Sequence, residues 1–298
     1  MVKKILLFLL LLISLSGPAE AGQKVLAIQS VSVAPYEQAI KGFESVYGAV
    51  VKRIFIAEQK ENDVLKTINE FRPDMVLAVG RDALLIARRI KNIPVVYCMV
   101  LNPRSILAGE NNISGVSMNL PPDKQLSELL KVLPATHNIS LLYDPDQTGI
   151  FVQALRNASV KMNVTLTATA AHRSRDVPGL LNAMKGKAGV FWMLPDITVI
   201  TPETLKSIFL FSLQNNLPIL TFSEKYLELG AMFSIGIDPY DVGVQAGEMA
   251  QNIFSGSNIK EDQHVDARKA LLSVNVEIAR KLGIAIDPKV LRDVKIIK

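Results

Sequence analysis

Polar residues suited to a binding site recur at one kind of place in this chain, just after an apolar run. These places are Gln29–Val33, Gly80–Arg81, Leu101–Asn102, Asp144, Pro195–Asp196, Phe222–Ser223 and Ile237–Asp238. In open parallel sheets, ligands sit beyond the carboxyl ends of the strands. The candidate contacts are therefore Gln29, Ser30, Gly80, Arg81, Asn102, Asp144, Asp196, Ser223 and Asp238. They offer carboxylates, hydroxyls and the free N–H groups of helix starts. Such a set suits a small zwitterion, with Asp196 or Asp238 pairing with its ammonium group and a helix start taking its carboxylate. Aspartate is also favoured as a helix N-cap whether or not a ligand exists. Both roles stay open for each carboxylate, and Asp196 and Asp238 stand out because each follows a strongly apolar strand.

The elements that position these residues alternate strand and helix. Lys24–Gln29, Val50–Ile56, Met75–Val79, Pro94–Val100 and Ile113–Val116 read as strands. Continuous apolar runs of this kind belong to strands buried on both faces. Helices are expected over Pro35–Tyr47, Asn62–Phe71 and Asp82–Ile90. Pro121 and Pro122 interrupt this series, and an amphipathic helix carrying Leu126, Leu129, Leu130 and Leu133 follows. Pro134 stops it.

A second series then begins. Its strands are Ile139–Tyr143, Val164–Ala170, Gly189–Leu194, Leu217–Thr221, Ala231–Ile235 and Ala270–Val274. Its helices are Thr148–Met162, Asp176–Met184, a Thr201-capped helix ending at Asn216, a short helix over Ser223–Leu229, and Val276–Leu282. Asp238-Pro239-Tyr240-Asp241 opens a long helix whose Gly243, Ala246, Gly247 and Ala250 allow close packing on a sheet. Repeated βα units call for parallel sheets covered by helices, in two α/β lobes joined by an extended connector.

Composition excludes several classes. At 298 residues, 49% of them apolar, the chain can bury two sizeable cores. Lys3 and Lys4, the apolar run Ile5–Leu15 and Ala19-Glu20-Ala21 match a signal peptide cut after Ala21. The run is too short for a good membrane span. Cys98 is the only cysteine, so no intramolecular disulfide can form. The net charge of +5 is scattered, without a basic stripe interleaved with aromatics, and nucleic acid is not an expected partner. His137, His172 and His264 lack metal-ligand spacing. Walker, G-x-G-x-x-G, G-x-S-x-G and H-E-x-x-H motifs are missing, so neither catalysis, a cofactor nor a metal is expected.

The chain resembles the ABC-transporter substrate-binding proteins of the ABC_sub_bind type, within the type I periplasmic-binding-protein superfamily. The resemblance rests on Ile113-Ser-Gly-Val-Ser117, Lys124-Gln125-Leu126, Leu133-Pro134, Leu142-Tyr-Asp-Pro145 and Pro195-Asp196-Ile-Thr-Val199. It continues through Leu229-Gly-Ala231, Gly236-Ile-Asp-Pro-Tyr-Asp-Val-Gly243, Gln245-Ala-Gly-Glu-Met-Ala250, Val274-Asn275 and Ala279-Arg-Lys-Leu-Gly-Ile284. It implies two Rossmann-like lobes with parallel sheets and a three-crossover hinge. The expected crossovers lie near Val116–Leu120, Met232–Gly236 and Leu272–Val274. After a signal peptide over residues 1–21, lobe 1 then comprises 22–117 plus 236–271, and lobe 2 comprises 118–235 plus 272–298.

The function implied is an exported, monomeric, periplasmic solute-binding protein, not an enzyme. It would capture a small ligand in the interlobe cleft for an ABC permease at the inner membrane. Some relatives bind aromatic or other hydrophobic amino acids. Family cleft positions fall at Asp144, Asp196 and Asp238, with weaker matches at Gly80 and Asn102. Gly80-Arg81-Asp82 stands where the family has Thr-Pro-Ala, Leu101-Asn102-Pro103 replaces Thr-Asp-Pro, and Asp144 replaces an asparagine. These departures favour an acidic or anionic ligand that Arg81 could pair with. A ligand-sensing module for a membrane kinase or chemoreceptor would share the same cleft, and an exported α/β enzyme is the third alternative.

Overall fold

A computed structural model of the protein describes residues 23–48, 51–58, 61–107, 109–256 and 263–297. The signal peptide and its cut after Ala21 lie outside the described residues. The chain forms two compact units, one running to Gly115 and including Gly243–Gln263, the other comprising Val116–Val242 with His264–Lys298.

The first sheet is built on β1 (Val25–Gln29), which pairs in parallel with β2 (Val51–Phe55) and β3 (Met75–Val79). β4 (Val95–Val100) adds to β3 in parallel. With β5 (Ile113–Ser117) and β11 (His264–Val265) the order is β11-β5-β4-β3-β1-β2. Every residue of β1, β3 and β4 is buried, as their unbroken apolar runs predict. Helices α1 (Ala34–Tyr47), α2 (Glu61–Phe71) and α3 (Arg81–Ala87) follow β1, β2 and β3. Leu26, Ile28, Val76, Ala78, Leu84 and Tyr97 form the centre of one core. Burial of each of the leucine, isoleucine and valine side chains among them contributes about 1.5–3 kcal/mol. Cys98 is buried, and desolvation pushes its thiol up to about 12, so it behaves as a small hydrophobe.

The second sheet contains β6 (Asn138–Tyr143), β7 (Thr165–Ala170), β8 (Val190–Trp192), β9 (Ile219–Thr221), β10 (Phe233–Ile237), β12 (Ala270–Asn275) and β13 (Lys295–Ile297). Their order is β13-β12-β10-β9-β8-β6-β7. Its helices are α4 (Pro122–Val132), α5 (Pro145–Lys161), α6 (Val177–Ala183) and α7 (Pro202–Gln214). α8 (Pro239–Phe254), which from Gly243 belongs to the first unit, α9 (Val276–Lys281) and α10 (Pro288–Arg292) follow. Thr201 caps α7 as the sequence predicts, in a reciprocal capping box with Thr204. The segment expected as a short helix over Ser223–Leu229 is a single 3-10 turn at Glu224–Tyr226.

Two features of this sheet differ from the sequence reading. β10 and β12, placed there as crossovers, form an antiparallel pair with Phe233 opposite Val274 and Ile237 opposite Ala270. The chain leaves the sheet at the end of β10 and re-enters it beside that same end, so β12 runs back along β10. The passages between units fall at Gly115/Val116, beside the first expected crossover, and at Val242/Gly243 and Gln263/His264. The short β11, β13 and α10 were not anticipated. Two or three residues carry too little periodicity to register as a strand.

The small residues on the long helix, expected to pack on a sheet, instead bring α8 against the helix α1. A methyl group on Gly243 would lie 1.8 Å from the Ala39 carbonyl oxygen, a clash with backbone. Replacing Gly243 by Ala is therefore expected to destabilise the fold by about 1–3 kcal/mol, through overpacking. Urea denaturation followed by circular dichroism should show a lower midpoint with an unchanged slope.

Candidate functional site

In the first unit the ends of β1, β3 and β4 are knitted together. Ser30 N–H donates to the Val79 carbonyl and Gly80 N–H donates to the Cys98 carbonyl, both at 3.0 Å. Ser30 Oγ accepts from the Ala83 N–H at 3.0 Å, supplying the side-chain cap that Gly80 cannot give to α3. Gly80 adopts φ +92°, and a methyl group on it would lie 2.6 Å from the Tyr36 hydroxyl oxygen and 2.7 Å from Ser30 Oγ. Both oxygens therefore sit directly over Gly80. Tyr36 is a residue that sequence reasoning missed. The available signal was an aromatic phenol in the first turn of α1, immediately after the β1 loop.

Left-handed backbone gathers at the same ends. Besides Gly80, Met99 has φ +57° near the end of β4 and Asn102 has φ +48° just beyond it. Such conformations cost an ordinary residue about 1–2 kcal/mol, less for asparagine. The Asn102 carbonyl accepts from the Ser105 N–H at 3.0 Å and the Ser105 hydroxyl at 2.8 Å, closing a turn. Arg81 is exposed, and among the described residues its guanidinium has no hydrogen-bond or ion-pair partner. Gln29 is 0% exposed; its amide N–H donates to Glu37 at 3.3 Å, while its Oε1 has no protein partner.

In the second unit Asp144 and Asp196 are brought together. Asp196, 1% exposed, accepts four hydrogen bonds. Its Oδ2 takes the Asp144 N–H and the Thr148 hydroxyl, each at 2.7 Å. Its Oδ1 takes the Thr198 N–H at 3.0 Å and the Val199 N–H at 3.1 Å. Its acceptor capacity is filled from within the protein. Asp144 caps α5 by accepting from the Asp146 N–H at 3.0 Å and accepts from the Thr198 hydroxyl at 2.6 Å. The Thr198 hydroxyl first, then the Asp146 amide, hold its carboxyl below the usual range, with His172 adding positive charge.

Asp238 stands apart from that pair. Its Oδ1 caps α8 through the Tyr240 and Asp241 amides at 3.0 and 3.3 Å. Its Oδ2 meets Lys269 Nζ at 2.6 Å. Partial burial pushes this carboxyl up, but the Lys269 bond and the amides outweigh it, and the net direction is down. Ser223 begins the turn at Glu224–Tyr226, and among the described residues its hydroxyl has no partner. Thr221, last in β9 and 1% exposed, likewise has an unpartnered hydroxyl oxygen.

Two α/β units with parallel-rich sheets, and polar groups gathered at the strand ends, define the type I periplasmic-binding-protein fold. The chain belongs to the family of ABC transporter substrate binding proteins, which matches residues 49–296. It is 26% identical over 198 residues to a tyrosine-binding protein of Clostridioides difficile, covering 63% of this chain and 56% of that protein. An uncharacterised Rickettsia prowazekii protein is 23% identical over 229 residues, 74% of this chain and 72% of its own. Among solved structures, the ligand-free, open form of a Clostridium difficile substrate binding protein with adhesive properties has a TM-score of 0.75 at 20% identity. That likeness covers 93% of this chain and 99% of the other. An ABC domain from Streptococcus pneumonia in complex with L-Trp has a TM-score of 0.58 at 21% identity, covering 93% and 100%. No helix among the described residues is long and apolar enough to cross a membrane.

Two predictions follow from the Asp144–Asp196 junction. Asp196→Ala strands three buried N–H groups, each costing about 1–3 kcal/mol, and should lower stability by at least about 3 kcal/mol in urea titration. Because the folded Asp144 carboxyl is depressed, its contribution is present above the unfolded value near 3.9 and is lost as pH falls below it. Thr198→Val removes the main cause of that depression. Thermal melts between about pH 5 and pH 3 should accordingly show a shallower acid loss in Thr198→Val than in the wild type.

Proposed function

We propose that this protein is an exported solute-binding protein, cut after Ala21, that captures an amino acid in the periplasm for an ABC permease at the inner membrane. One observation carries the ligand-binding reading. Among the described residues, the two buried side-chain atoms without a protein partner are Gln29 Oε1 and Thr221 Oγ1, and each belongs to the last residue of a strand. Buried polar groups are normally satisfied, and exceptions call for an explanation. A ligand with donor groups, held at the strand ends, provides it. Family membership and the tyrosine-binding relative support an aromatic amino acid as the ligand.

On this reading Gln29, Ser30, Gly80, Arg81 and Asn102 contribute from the first unit, and Asp144, Ser223 and Asp238 from the second. Asp196, with its oxygens filled, positions Asp144 and the Thr198 loop. The acidic groups favour the ligand's ammonium and the hydroxyls its polar substituents. Hinge closure of the kind used by periplasmic binding proteins then retains the solute.

The test is calorimetric titration and thermal denaturation of the chain from Gly22 onward against the L-amino acids. Aromatic amino acids are expected to raise the melting midpoint, with about 2.7 kcal/mol of stabilisation at one hundred times the dissociation constant. A folded protein that ignores every amino acid would overturn the ligand assignment. Chemical conversion of a bound amino acid would overturn the binding-protein reading itself.

A further inference from the structure

The second unit carries a cavity that none of the candidate solute contacts lines. It has a volume of about 390 Å³ and is framed by α9 and the segment that leads into α10. Its apolar walls are Val276, Ala279, Ile284, Ala285, Ile286 and Leu291. The local backbone explains the shape. Gly283, at φ +70°, ends α9: its N–H donates to the Arg280 carbonyl at 3.1 Å, and the Ile284 N–H reaches back to the Ala279 carbonyl at 2.9 Å. This turn returns the chain so that Ile284, Ala285 and Ile286 wall the same cavity as Val276 and Ala279 of the helix. A methyl group on Gly283 would meet nothing within 4 Å, so the turn leaves open space beside it. Val276, Ile284 and Ile286 also pack against a core of the unit, which keeps the inner wall apolar.

Water gains little from such a surface, whereas small ligands are held by apolar walls of this kind with a few polar groups that fix orientation. The one charged residue that lines the cavity is Arg280, on the last turn of α9. A cation there is ordinary, because it complements the helix dipole. What sets Arg280 apart is that it also walls the cavity, is exposed, and among the described residues has no side-chain partner. Its stem can lie on apolar surface while the guanidinium stays at the mouth. That group only donates, in a planar fork that matches a carboxylate. The same two helices add Lys281, Lys289 and Arg292, all exposed and likewise without a side-chain partner among the described residues. Against them stand Glu277 and Asp287, and Asp287 already caps α10 through the Lys289 N–H at 2.8 Å. The surroundings therefore favour an anion over a cation.

We propose that this cavity is a second binding site, which takes a free medium-chain carboxylate. The acyl chain lies on the apolar walls and the carboxylate meets Arg280. The site is separate from the solute-binding reading and stands or falls without it.

The test is calorimetric titration of the chain from Gly22 onward with hexanoate, octanoate, decanoate, decan-1-ol and decyltrimethylammonium. It is run on the wild type and on Arg280→Gln, Ala285→Trp and Lys206→Gln, with circular dichroism to verify that each is folded. Each added methylene should tighten carboxylate binding about three- to four-fold. Decanoate should bind up to about five-fold more tightly than decan-1-ol, the range of an exposed charge pair, and decyltrimethylammonium should bind more weakly than either. Arg280→Gln should erase the preference for decanoate over decan-1-ol. Ala285 is exposed, so a tryptophan there fills the cavity without entering the core, and Ala285→Trp should weaken both by about ten-fold or more. Lys206→Gln, on α7, should behave like the wild type.

Affinity that does not depend on chain length, binding untouched by Ala285→Trp, or no binding of decanoate overturns the site. Equal affinity of the wild type for decanoate and decan-1-ol overturns the role of Arg280. Phosphatidylglycerol vesicles that retain the wild type but not Ala285→Trp would support an acyl site in this cavity and overturn the free acid as its occupant.

Discussion

A single buried carboxylate organises the strand ends of the second unit. Asp196 is almost fully removed from water, where an ionised group survives only with its oxygens filled by donors. It finds them in the Asp144 amide, the Thr148 hydroxyl and the Thr198 and Val199 amides. Those donors come from the end of β6, the first turn of α5 and the loop after β8, strands that lie side by side in the sheet. Removing any donor leaves charge exposed to low dielectric. Removing the carboxylate leaves the amides stranded. The loop geometry around Asp144 is thus fixed by a requirement for satisfaction, before any ligand is considered.

The first unit solves the same problem by other means. Its strand ends are joined by backbone hydrogen bonds from Ser30 and Gly80, and a serine hydroxyl stands in for a helix cap. Because no carboxylate is needed there, the neighbouring side chains are left with unspent donors. Left-handed backbone at Gly80, Met99 and Asn102 adds to the local cost. Strain of this kind persists where the surrounding structure over-determines it, and it clusters at functional sites. The compact, fully buried strands β1, β3 and β4 supply that determination.

Much of this was legible in the sequence because burial on both faces leaves a strong mark. Runs such as Val25–Gln29 and Met75–Val79 carry no interior polar residue, and they form strands with nearly those bounds. Thr201-Pro202 announced α7, and Gly243 announced a close approach of α8, though to the helix α1 rather than to a sheet. The antiparallel β10–β12 pair was not legible, since a buried strand reads the same in either direction. The roles of the aspartates were not legible either. Asp196, Asp144 and Asp238 each follow an apolar run, yet one is saturated, one shares Thr198 and one is paired with Lys269. The difference lies in donors distant in sequence, Thr148 and Lys269 among them. Tyr36 escaped for the same reason, because its place over Gly80 depends on two strands meeting.

The two units therefore distribute polarity unequally, and this inequality bears on what a solute could recognise. In the second unit the carboxylates are already engaged: Asp196 by amides and hydroxyls, Asp238 by a cation and two helix amides. An approaching ammonium must compete with partners that are covalently held in place, so its net gain there is modest. In the first unit the donors around Gly80 face no such competition. The hydroxyls of Tyr36 and Ser30 over Gly80 are thus less committed than the carboxylates of the second unit.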